Sequence, residues 1–588
     1  MAEKILQGIP VSAGIAIGKA YFHNRRGNSA AIRVDIDKGH IHEERQRLEQ
    51  AFSTALTELE TIRKKIPKEL KEQSAIIESH IMILKDKKFQ KSAGKYIRQK
   101  LINAEWALEK AVSDIETAFS KLDDQYIRER IQDVRLVADR VKSQLYGQPS
   151  DIPSLTRRMV LLASDLSPAD TIELRLDKIM AFATVSGGKT SHAGIIARSL
   201  QIPAIVGVEE LDGIPDDHFL ILDGFNGKIF IEPTEEELAH YTELKQQFAD
   251  YQSLVNRNCH LPAETIDGYQ VNVAANIELF EEVAAVIDNG GEGIGLYRTE
   301  YSYLNREDLP DENELFEEYR DLSSIVYPQK VVIRTLDLGA DKVATQFGPV
   351  RELNPSLGLR AIRFCRKHPE IFKTQLRAIL RASVMGNISI MFPMISGMQE
   401  LLEIKKIFYS VKRELKSQKI NFDQAMSLGI MIELPSAVLI ADLLAQEVDF
   451  FSIGTNDLMQ YSLGIDRTNK HVSYLYQPLH PAILRSIKYV IDAGHEAGIE
   501  VSLCGEVAAD PYCVPILMGM QIDSISLNPQ GIPGIKRIIR QTTMDECKEL
   551  LKKVLESDDV QKSNKLVKER IFTRSPEELM FYTSLIEE

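Results

Sequence analysis

A histidine stands in a short segment whose residue types suit covalent phosphoryl transfer. The segment reads Gly187-Gly188-Lys189-Thr190-Ser191-His192 and follows an apolar run that indicates a strand. The two glycines favour a turn, and Thr190 or Ser191 can cap a helix that begins there. His192 would then lie in the first helical turn, where backbone N–H groups and the helix dipole favour a phosphoryl group. A neutral imidazole is available as nucleophile near pH 7. The alternative is a histidine that only packs at a helix start.

A second set of polar residues follows apolar runs in the second half of the chain. They stand at predicted strand ends or just beyond them, and are Asn276, Arg298, Arg334, Asp337, Glu433, Asn456, Asp457, Cys504 and Asn528. Arg360, Arg363 and Arg467 lie in loops nearby in sequence. Arginine forks suit carboxylate and phosphate oxygens, and two carboxylates such as Glu433 and Asp457 suit Mg²⁺. A thiol such as Cys504 can deliver a proton.

This mixture predicts a site for a small, multiply anionic phosphoester. The alternative is that strand ends carry polar residues because they meet water, and that Cys504 only packs.

The elements that must position the second set form a regular series. Eight candidate strands, each followed by a helical stretch, lie at 270–275, 293–298, 331–336, 388–393, 428–433, 449–454, 500–504 and 523–527. Eight βα units over roughly 250–300 residues is the number in a (β/α)8 barrel, whose active-site groups lie at the carboxyl ends of the strands.

The first half predicts two further domains. Short apolar runs at 159–162, 179–183, 204–207, 219–223 and 229–231 indicate a small α/β domain, to which the first 20 residues are predicted to add a strand. Charged segments of helical period at 42–59, 71–100 and 103–145, punctuated by Pro67 and Gly94, indicate an all-helical domain of three or four helices.

The predicted fold class is therefore multidomain α/β. A small α/β histidine domain, at 1–25 and 147–232, carries an inserted helical domain at 26–146. A linker follows at 233–261, and a C-terminal (β/α)8 TIM-type barrel is predicted at 262–588.

Composition excludes several functional classes. The net charge of −14 and pI of about 5.5 argue against general nucleic-acid binding, which depends on Lys and Arg meeting phosphates. Five scattered cysteines without a close pair argue against a disulfide framework or zinc site and indicate a reducing compartment. The absence of an apolar run of about 20 residues and of a signal-peptide pattern predicts no membrane insertion and a cytoplasmic location.

Several motifs together resemble enzyme I, the family of phosphoenolpyruvate–protein phosphotransferases. The histidine segment ends in Ile196-Ala197-Arg198-Ser199-Leu200, like the phosphohistidine signature of that family, and residues 449–461 resemble its metal and substrate segment. Residues 295–300, 333–337 and 503–506 match as well. The resemblance covers essentially the whole chain in order.

The resemblance implies an activity and a role for each matching residue. Phosphoenolpyruvate would bind the barrel with Mg²⁺ and pass its phosphoryl group to His192. Implied metal ligands are Glu433 and Asp457, and implied substrate ligands are Arg298, Arg334, Asn456 and Arg467. Cys504 would protonate the enolate on its way to pyruvate.

The resemblance also implies partners. The phosphoryl group would pass to a histidine of the small phosphocarrier protein HPr, docked on the helical domain, as the first step of the sugar phosphotransferase system. The family works as a homodimer joined through the barrels. Its histidine domain swivels, and hinges are expected at 147–153 and 232–262.

One segment departs from the family pattern. Residues 77–84 resemble the carrier-docking helix, but Lys85, Lys87 and Lys88 stand where an acidic run is expected. Acidic groups there would suit a basic carrier, so the physiological carrier is left open between HPr and a nitrogen-branch paralogue. The plain alternative is a solvated helix face.

Three other functions make different predictions. A dikinase or phosphoenolpyruvate synthase needs an ATP-binding domain, whereas the residues before the histidine segment are predicted to be largely helical and lack a Gly-rich nucleotide loop. A nitrogen-branch enzyme usually carries an additional N-terminal sensory domain, whereas Met1–Ala20 is predicted to begin the histidine domain. An inactive interaction protein would form no pyruvate.

Overall fold

The computed structural model describes most of the chain. The described residues are 4–23, 33–65, 78, 80–119, 125–146, 158–164, 166, 178–187, 197, 202–304, 308–339, 354–466, 469 and 472–574. The chain divides into two compact units, Met1–Phe248 and Ala249–Glu588. Within the described residues, no helix combines the length and the apolar character that crossing a bilayer requires.

In the first unit, the described residues form an eight-stranded sheet. Its strands are β1 (Lys4–Gln7), β2 (Ile9–Ser12), β3 (Ile15–His23), β4 (Met159–Ala163), β5 (Ile179–Thr184), β6 (Ala204–Val206), β7 (Phe219–Asp223) and β8 (Lys228–Ile231). The order is β1-β8-β7-β3-β4-β5-β6-β2, with β3 to β6 parallel. The prediction of a single strand in the first 20 residues is wrong. Gly8 and a turn at Gly14, whose φ is 126°, divide the segment into three strands.

Helices of the first unit lie between β3 and β4 in the chain. They are α1 (Ile41–Lys65), α2 (Lys87–Lys100), α3 (Ala104–Phe119) and α4 (Gln125–Leu145). Gly94 lies inside α2 and does not interrupt it, because Phe89, Ala93 and Ile97 of the same helix are buried and hold it in place. Pro67 lies outside the described residues.

A long helix, α5 (Glu235–Arg257), follows the sheet in the chain. Its start is closed by a reciprocal cap, in which the Glu237 N–H donates to Thr234 Oγ1 at 3.3 Å and the Thr234 N–H donates to Glu237 Oε2 at 2.9 Å. The helix covers most of the segment predicted as a linker, and the linker role itself stays a prediction.

The second unit contains a closed barrel of eight parallel strands. They are β9 (Asn272–Ile277), β10 (Ile294–Arg298), β11 (Val331–Arg334), β12 (Ile388–Phe392), β13 (Leu428–Ile432), β14 (Phe450–Ile453), β15 (Glu500–Leu503) and β16 (Ser524–Leu527). Each predicted strand overlaps an observed one, and no end differs by more than two residues. The multidomain α/β class with a C-terminal eight-stranded barrel is therefore confirmed.

Helices follow the barrel strands in the chain. They are α6 (Val283–Asp288), α7 (Glu312–Val326), α8 (Ala361–Lys367), α9 (Pro369–Ala382), α10 (Met398–Ser417), α11 (Pro435–Leu439), α12 (Ala441–Ala445), α13 (Thr455–Leu463), α14 (Pro481–Glu496), α15 (Val514–Gly519), α16 (Ile532–Arg540), α17 (Met544–Glu556) and α18 (Val560–Arg574).

Side chains fill the barrel interior. Leu296, Val332, Met391, Met431 and Phe450 form one buried cluster with Cys504, separate from the larger core formed with the helices. Strands β12, β13 and β14 are buried along their whole length, as expected when both faces of a parallel sheet are covered. The barrel is therefore a packed scaffold and not an open channel.

Candidate active site at the carboxyl ends of the barrel strands

Six of the eight predicted site residues lie among the described residues, and all six stand at strand ends. Arg298 ends β10, Arg334 ends β11, Glu433 follows β13, Asn456 and Asp457 follow β14, and Cys504 follows β15. Because the strands are parallel and the barrel is closed, these residues lie at the same end, which we call the mouth.

Arg334 is buried in the mouth and binds two carboxylates. Its Nη2 donates to Glu300 Oε1 at 2.8 Å, and its Nη1 lies 3.0 Å from Asp337 Oδ2. Burial lowers the pKa of the guanidinium, but Glu300 and Asp337 outweigh burial and hold the pKa above its ordinary value. Arg334 therefore stays charged. Its buried Nε has no hydrogen-bond acceptor in the described part of the chain.

Asp337 also binds a second arginine, Arg360. Oδ1 accepts from Arg360 Nε at 3.1 Å and from Nη2 at 2.9 Å, while Oδ2 accepts from Nη2 at 3.0 Å. Nη2 of Arg360 also lies 3.3 Å from Asp457 Oδ2, and its Nη1 donates to Tyr461 Oη at 3.3 Å. Burial raises the pKa of Asp337, but Arg334 and Arg360 outweigh burial and lower the pKa below its usual range. Asp337 is therefore a carboxylate at neutral pH.

Glu433 is a carboxylate of the mouth that has another carboxylate, Asp457, as a neighbour. Its side chain is buried, and Oε1 accepts from the Met394 N–H at 2.6 Å. Met394 adopts a left-handed φ of 58° at this contact. Gly454 lies against the other carboxylate oxygen, since a Cβ at that position would be 2.9 Å from Glu433 Oε2. Burial above all, and then the neighbouring charge of Asp457, raise the pKa of Glu433 well above its ordinary value. Burial and mutual repulsion therefore disfavour negative charge on both Glu433 and Asp457 unless a cation lies near them.

Cys504 is a buried thiol at the mouth. Its Sγ lies 3.7 Å from the Ile453 carbonyl oxygen, and the Asn276 Nδ2 donates to the Cys504 carbonyl at 2.9 Å. Burial raises the pKa of the thiol, and the positive charge of Arg334 offsets this only in part. Cys504 is therefore protonated at neutral pH and can act as an acid.

Asn456 and Arg298 lie nearer to solvent. Asn456 Nδ2 donates to Glu506 Oε1 at 3.1 Å, and the Glu506 N–H donates back to Asn456 Oδ1 at 2.9 Å, so the amide orientation is set by two bonds. Arg298 forms an ion pair with Glu278, and its side chain is 36% exposed. Both can meet a ligand that enters from solvent.

Two predicted site residues, His192 and Arg467, lie outside the described residues. The same is true of the rest of the histidine segment from Lys189 to Ile196 and of the predicted hinge at 147–153. Gly187, the last described residue before His192, has a φ of 120°, the conformation that favours glycine in a turn.

Four residues outside the eight predicted site residues also contact the site. They are Glu300, Asp337, Arg360 and Tyr461, of which Asp337 and Arg360 belong to the wider polar set named from the sequence. Glu300 and Asp337 closely follow predicted ligands in sequence, and Tyr461 lies one helical turn after Asp457 in α13, so local signals for these existed. Arg360 is 97 residues from Asp457 and no local pattern joins them.

Arg363, which the sequence analysis placed in a loop with Arg360 and Arg467, lies in α8 and donates to the carbonyl groups of Leu357 and Gly358.

The residues at the mouth fit a divalent cation. The described residues contain no cluster of three or more His, Cys, Asp or Glu side chains of the kind that holds a metal by itself. Mg²⁺, however, is usually bound through one or two carboxylates together with water and substrate oxygens. Glu433 and Asp457, whose mutual repulsion a cation would relieve, supply such a pair.

Three family models match the chain in order. They are described as PEP-utilising enzyme, N-terminal, at residues 7–130; PEP-utilising enzyme, mobile domain, at 155–227; and PEP-utilising enzyme, PEP-binding domain, at 252–544. The last one contains all six described site residues.

Curated relatives match nearly the whole chain. A phosphoenolpyruvate-protein phosphotransferase of Listeria innocua is 41% identical over 567 residues, which is 96% of this chain and 99% of the relative. Proteins of the same name from Bacillus subtilis and Haemophilus influenzae are 40% and 37% identical, covering 96% and 97% of this chain and 99% and 100% of their own lengths.

A solved structure described as an NMR solution structure of Enzyme I (nEIt) is 31% identical and covers 42% of this chain and 99% of its own. The TM-score of this match is 0.36.

Proposed function

The chain belongs to the phosphoenolpyruvate–protein phosphotransferase family, and from that premise we propose that it transfers the phosphoryl group of phosphoenolpyruvate to its own His192 and releases pyruvate. In this step the bond from phosphorus to the enol oxygen breaks and a bond from phosphorus to an imidazole nitrogen forms. The enolate that leaves gains a proton at its methylene carbon and becomes pyruvate.

The observation that carries the proposal is the composition of the mouth. Charged Arg334 and Arg360 are held on the Asp337 carboxylate at distances near 3 Å, close to the Asp457 carboxylate and a protonated thiol. Phosphoryl transfer needs little covalent chemistry from the protein beyond positioning and neutralising the phosphate oxygens. A small phosphoester with a carboxylate is the ligand that such a set suits best.

Each substrate ligand has a task in this proposal. Arg298, Arg334 and Arg467 bind phosphate and carboxylate oxygens of phosphoenolpyruvate, and Asn456 donates a further hydrogen bond from a side chain that Glu506 orients. Glu433 and Asp457 hold Mg²⁺, which when bound neutralises charge on the substrate oxygens.

Cys504 is proposed to donate the proton to the enolate. Burial keeps its thiol protonated, which is the state that an acid requires. After the transfer, the thiolate is reprotonated from water.

The phosphoryl group on His192 is proposed to pass to a histidine of HPr, or of a nitrogen-branch paralogue, as the first step of the sugar phosphotransferase system. Lys85 bears on this choice, since it forms an ion pair of 2.9 Å with Glu60 and so presents less free positive charge to a carrier than the sequence suggests.

A homodimer joined through the barrels, a swivelling histidine domain and a cytoplasmic location complete the proposal. The predicted domain limits belong to it as well, at 1–25 with 147–232, 26–146, 233–261 and 262–588.

Labelling with ³²P-phosphoenolpyruvate and Mg²⁺, followed by mapping of the acid-labile label, tests the proposal. We expect label on His192 in the wild type and none in His192→Ala. The matched control is His42→Ala, an exposed histidine at the start of α1, which should keep the label. A folded wild type that takes no label, or takes it on another residue, contradicts the proposed function.

A further inference from the structure

We propose that Asp337 and Glu300 form a carboxylate clamp, a pair of positioning residues that set the spacing and orientation of Arg334 and Arg360 for a phosphoester. The inference rests on the proposed function, because it assigns the clamp to the same substrate site. Neither carboxylate needs to touch the substrate in this role.

Asp337 is the centre of the clamp because it binds two guanidinium groups at once. Its Oδ2 lies 3.0 Å from Nη1 of Arg334 and 3.0 Å from Nη2 of Arg360, and its Oδ1 takes two further bonds from Arg360. The Asp337 side chain is only 3% exposed. Two buried arginines repel each other, so without this carboxylate they would move apart.

Glu300 binds the second terminal nitrogen of Arg334, Nη2, and also the backbone N–H of Asp337. The same oxygen, Oε1, accepts from Arg334 Nη2 at 2.8 Å and from the Asp337 N–H at 3.0 Å. Glu300 thus links the segment after β10 to the segment after β11. Arg334, Asp337 and Glu300 cannot shift independently of one another.

The scaffold around the clamp is held by a second set of bonds. Thr299 Oγ1 donates to the Arg334 carbonyl at 3.0 Å and accepts from Gln375 Nε2 at 3.0 Å, while Gln375 Oε1 accepts from the Leu336 N–H at 3.0 Å. Thr299 and Gln375 are buried. The clamp therefore rests on ordered backbone, as precise positioning requires.

The clamp leaves binding capacity for a ligand. Each guanidinium has five N–H groups, and Nε of Arg334 is buried without an acceptor in the described residues. The charge of Asp337 is shared between two arginines, so it is poorly suited to bind a metal ion. We therefore assign Asp337 to positioning and the pair of Glu433 and Asp457 to the cation.

A second carboxylate among the described residues also binds two arginines and offers a matched control. Glu312, at the start of α7, binds Arg377 Nε at 2.6 Å and Arg381 Nη1 at 2.7 Å, two arginines of α9. This bridge also joins one carboxylate to two guanidinium groups, but on the outer helices. If bridges of this kind only stabilise the fold, Glu312→Gln and Asp337→Asn should behave alike.

The test is the exchange of ¹⁴C-pyruvate into phosphoenolpyruvate, which needs the full chain and Mg²⁺ but no carrier. In Asp337→Asn we expect kcat/KM for phosphoenolpyruvate to fall about 100-fold, with most of the loss in KM, because displaced arginines weaken substrate binding before and during transfer. In Glu300→Gln, which releases only Arg334, the loss should be smaller, about tenfold. Glu312→Gln should leave KM within twofold of the wild type.

Thermal unfolding with and without phosphoenolpyruvate keeps the test decisive if Asp337→Asn folds poorly. The clamp predicts that the Tm increase caused by phosphoenolpyruvate is reduced in Asp337→Asn and Glu300→Gln and kept in Glu312→Gln. A lower Tm with an unchanged KM and an unchanged ligand shift in both clamp variants would overturn the inference. A wild type without any exchange would instead overturn the proposed function.

Discussion

At the scale of single residues, burial and neighbouring charges set the pKa of each ionisable side chain. Glu433 and Asp337 are both buried carboxylates, but the charged neighbour with the largest effect is Arg334 for Asp337 and Asp457 for Glu433. The pKa is therefore lowered in Asp337 and raised in Glu433. In the proposed reaction, these opposite environments suit Asp337 to positioning the arginines and Glu433 to binding a cation.

Cys504→Ala tests the proposed acid. We expect the rate of ¹⁴C-pyruvate exchange to fall by roughly 100- to 1,000-fold, because the enolate loses its proton donor. The Tm increase caused by phosphoenolpyruvate should remain, since the arginines are untouched. The matched control is Cys513→Ala, another buried thiol with a raised pKa, which lies just before α15. An exchange rate within twofold of the wild type in Cys504→Ala would contradict the proposed role.

At the scale of elements, the turn after β15 holds the start of α13. Thr455 begins α13 and is followed by Asn456 and Asp457. A Cβ at Gly505 would lie 1.8 Å from Thr455 Oγ1 and 2.8 Å from the Thr455 backbone nitrogen. The two segments are in such close contact that only glycine fits at position 505.

Gly505→Ala tests this contact. We expect a loss of about 1–3 kcal/mol in the free energy of unfolding and about a tenfold loss of exchange activity, because the backbone that carries Asn456 and Asp457 must move. Gly397→Ala is the control, because a Cβ there meets nothing within 4 Å and the φ of 179° suits alanine. Urea unfolding and pyruvate exchange measure both effects. Equal behaviour of the two variants would show that the contact does not constrain the site.

At the scale of the whole molecule, the proposed reaction uses both compact units. His192 belongs to the sequence of the unit Met1–Phe248, whereas the mouth belongs to Ala249–Glu588. The first half-reaction therefore needs both units, whereas the exchange between His192 and a carrier needs no group of the mouth. A substitution in the mouth should therefore impair phosphorylation by phosphoenolpyruvate and leave the exchange with the carrier intact.

Arg298→Ala tests this division. Because Arg298 is 36% exposed and pairs with an exposed glutamate, we expect the variant to fold normally. Labelling of His192 from ³²P-phosphoenolpyruvate should fall at least 100-fold, with a substrate arginine removed. Labelling from ³²P-phosphorylated HPr should persist, and His192→Ala should take label from neither donor. If Arg298→Ala loses both reactions, the division between the units is wrong.

The amino-acid sequence by itself determined the local elements and their order. Apolar runs placed every barrel strand within two residues of its observed ends, because a buried parallel strand is a short-range pattern. The same patterns located Arg298, Arg334, Glu433 and Cys504 at strand ends. The prediction from local propensity was wrong at Gly94, where a break in the helix was expected. Gly94 lies inside α2, because the packing of its buried neighbours outweighs the low helix propensity of glycine.

Only the tertiary structure decided which of these residues meet. Asp337 binds Arg360 across 23 residues, and Arg360 reaches Asp457 across 97 residues. These contacts exist because the closed barrel brings the ends of its parallel strands together, and neither propensity nor periodicity carries information over such separations. The pKa shifts follow from the same closure, since burial and neighbouring charge depend on which side chains lie side by side.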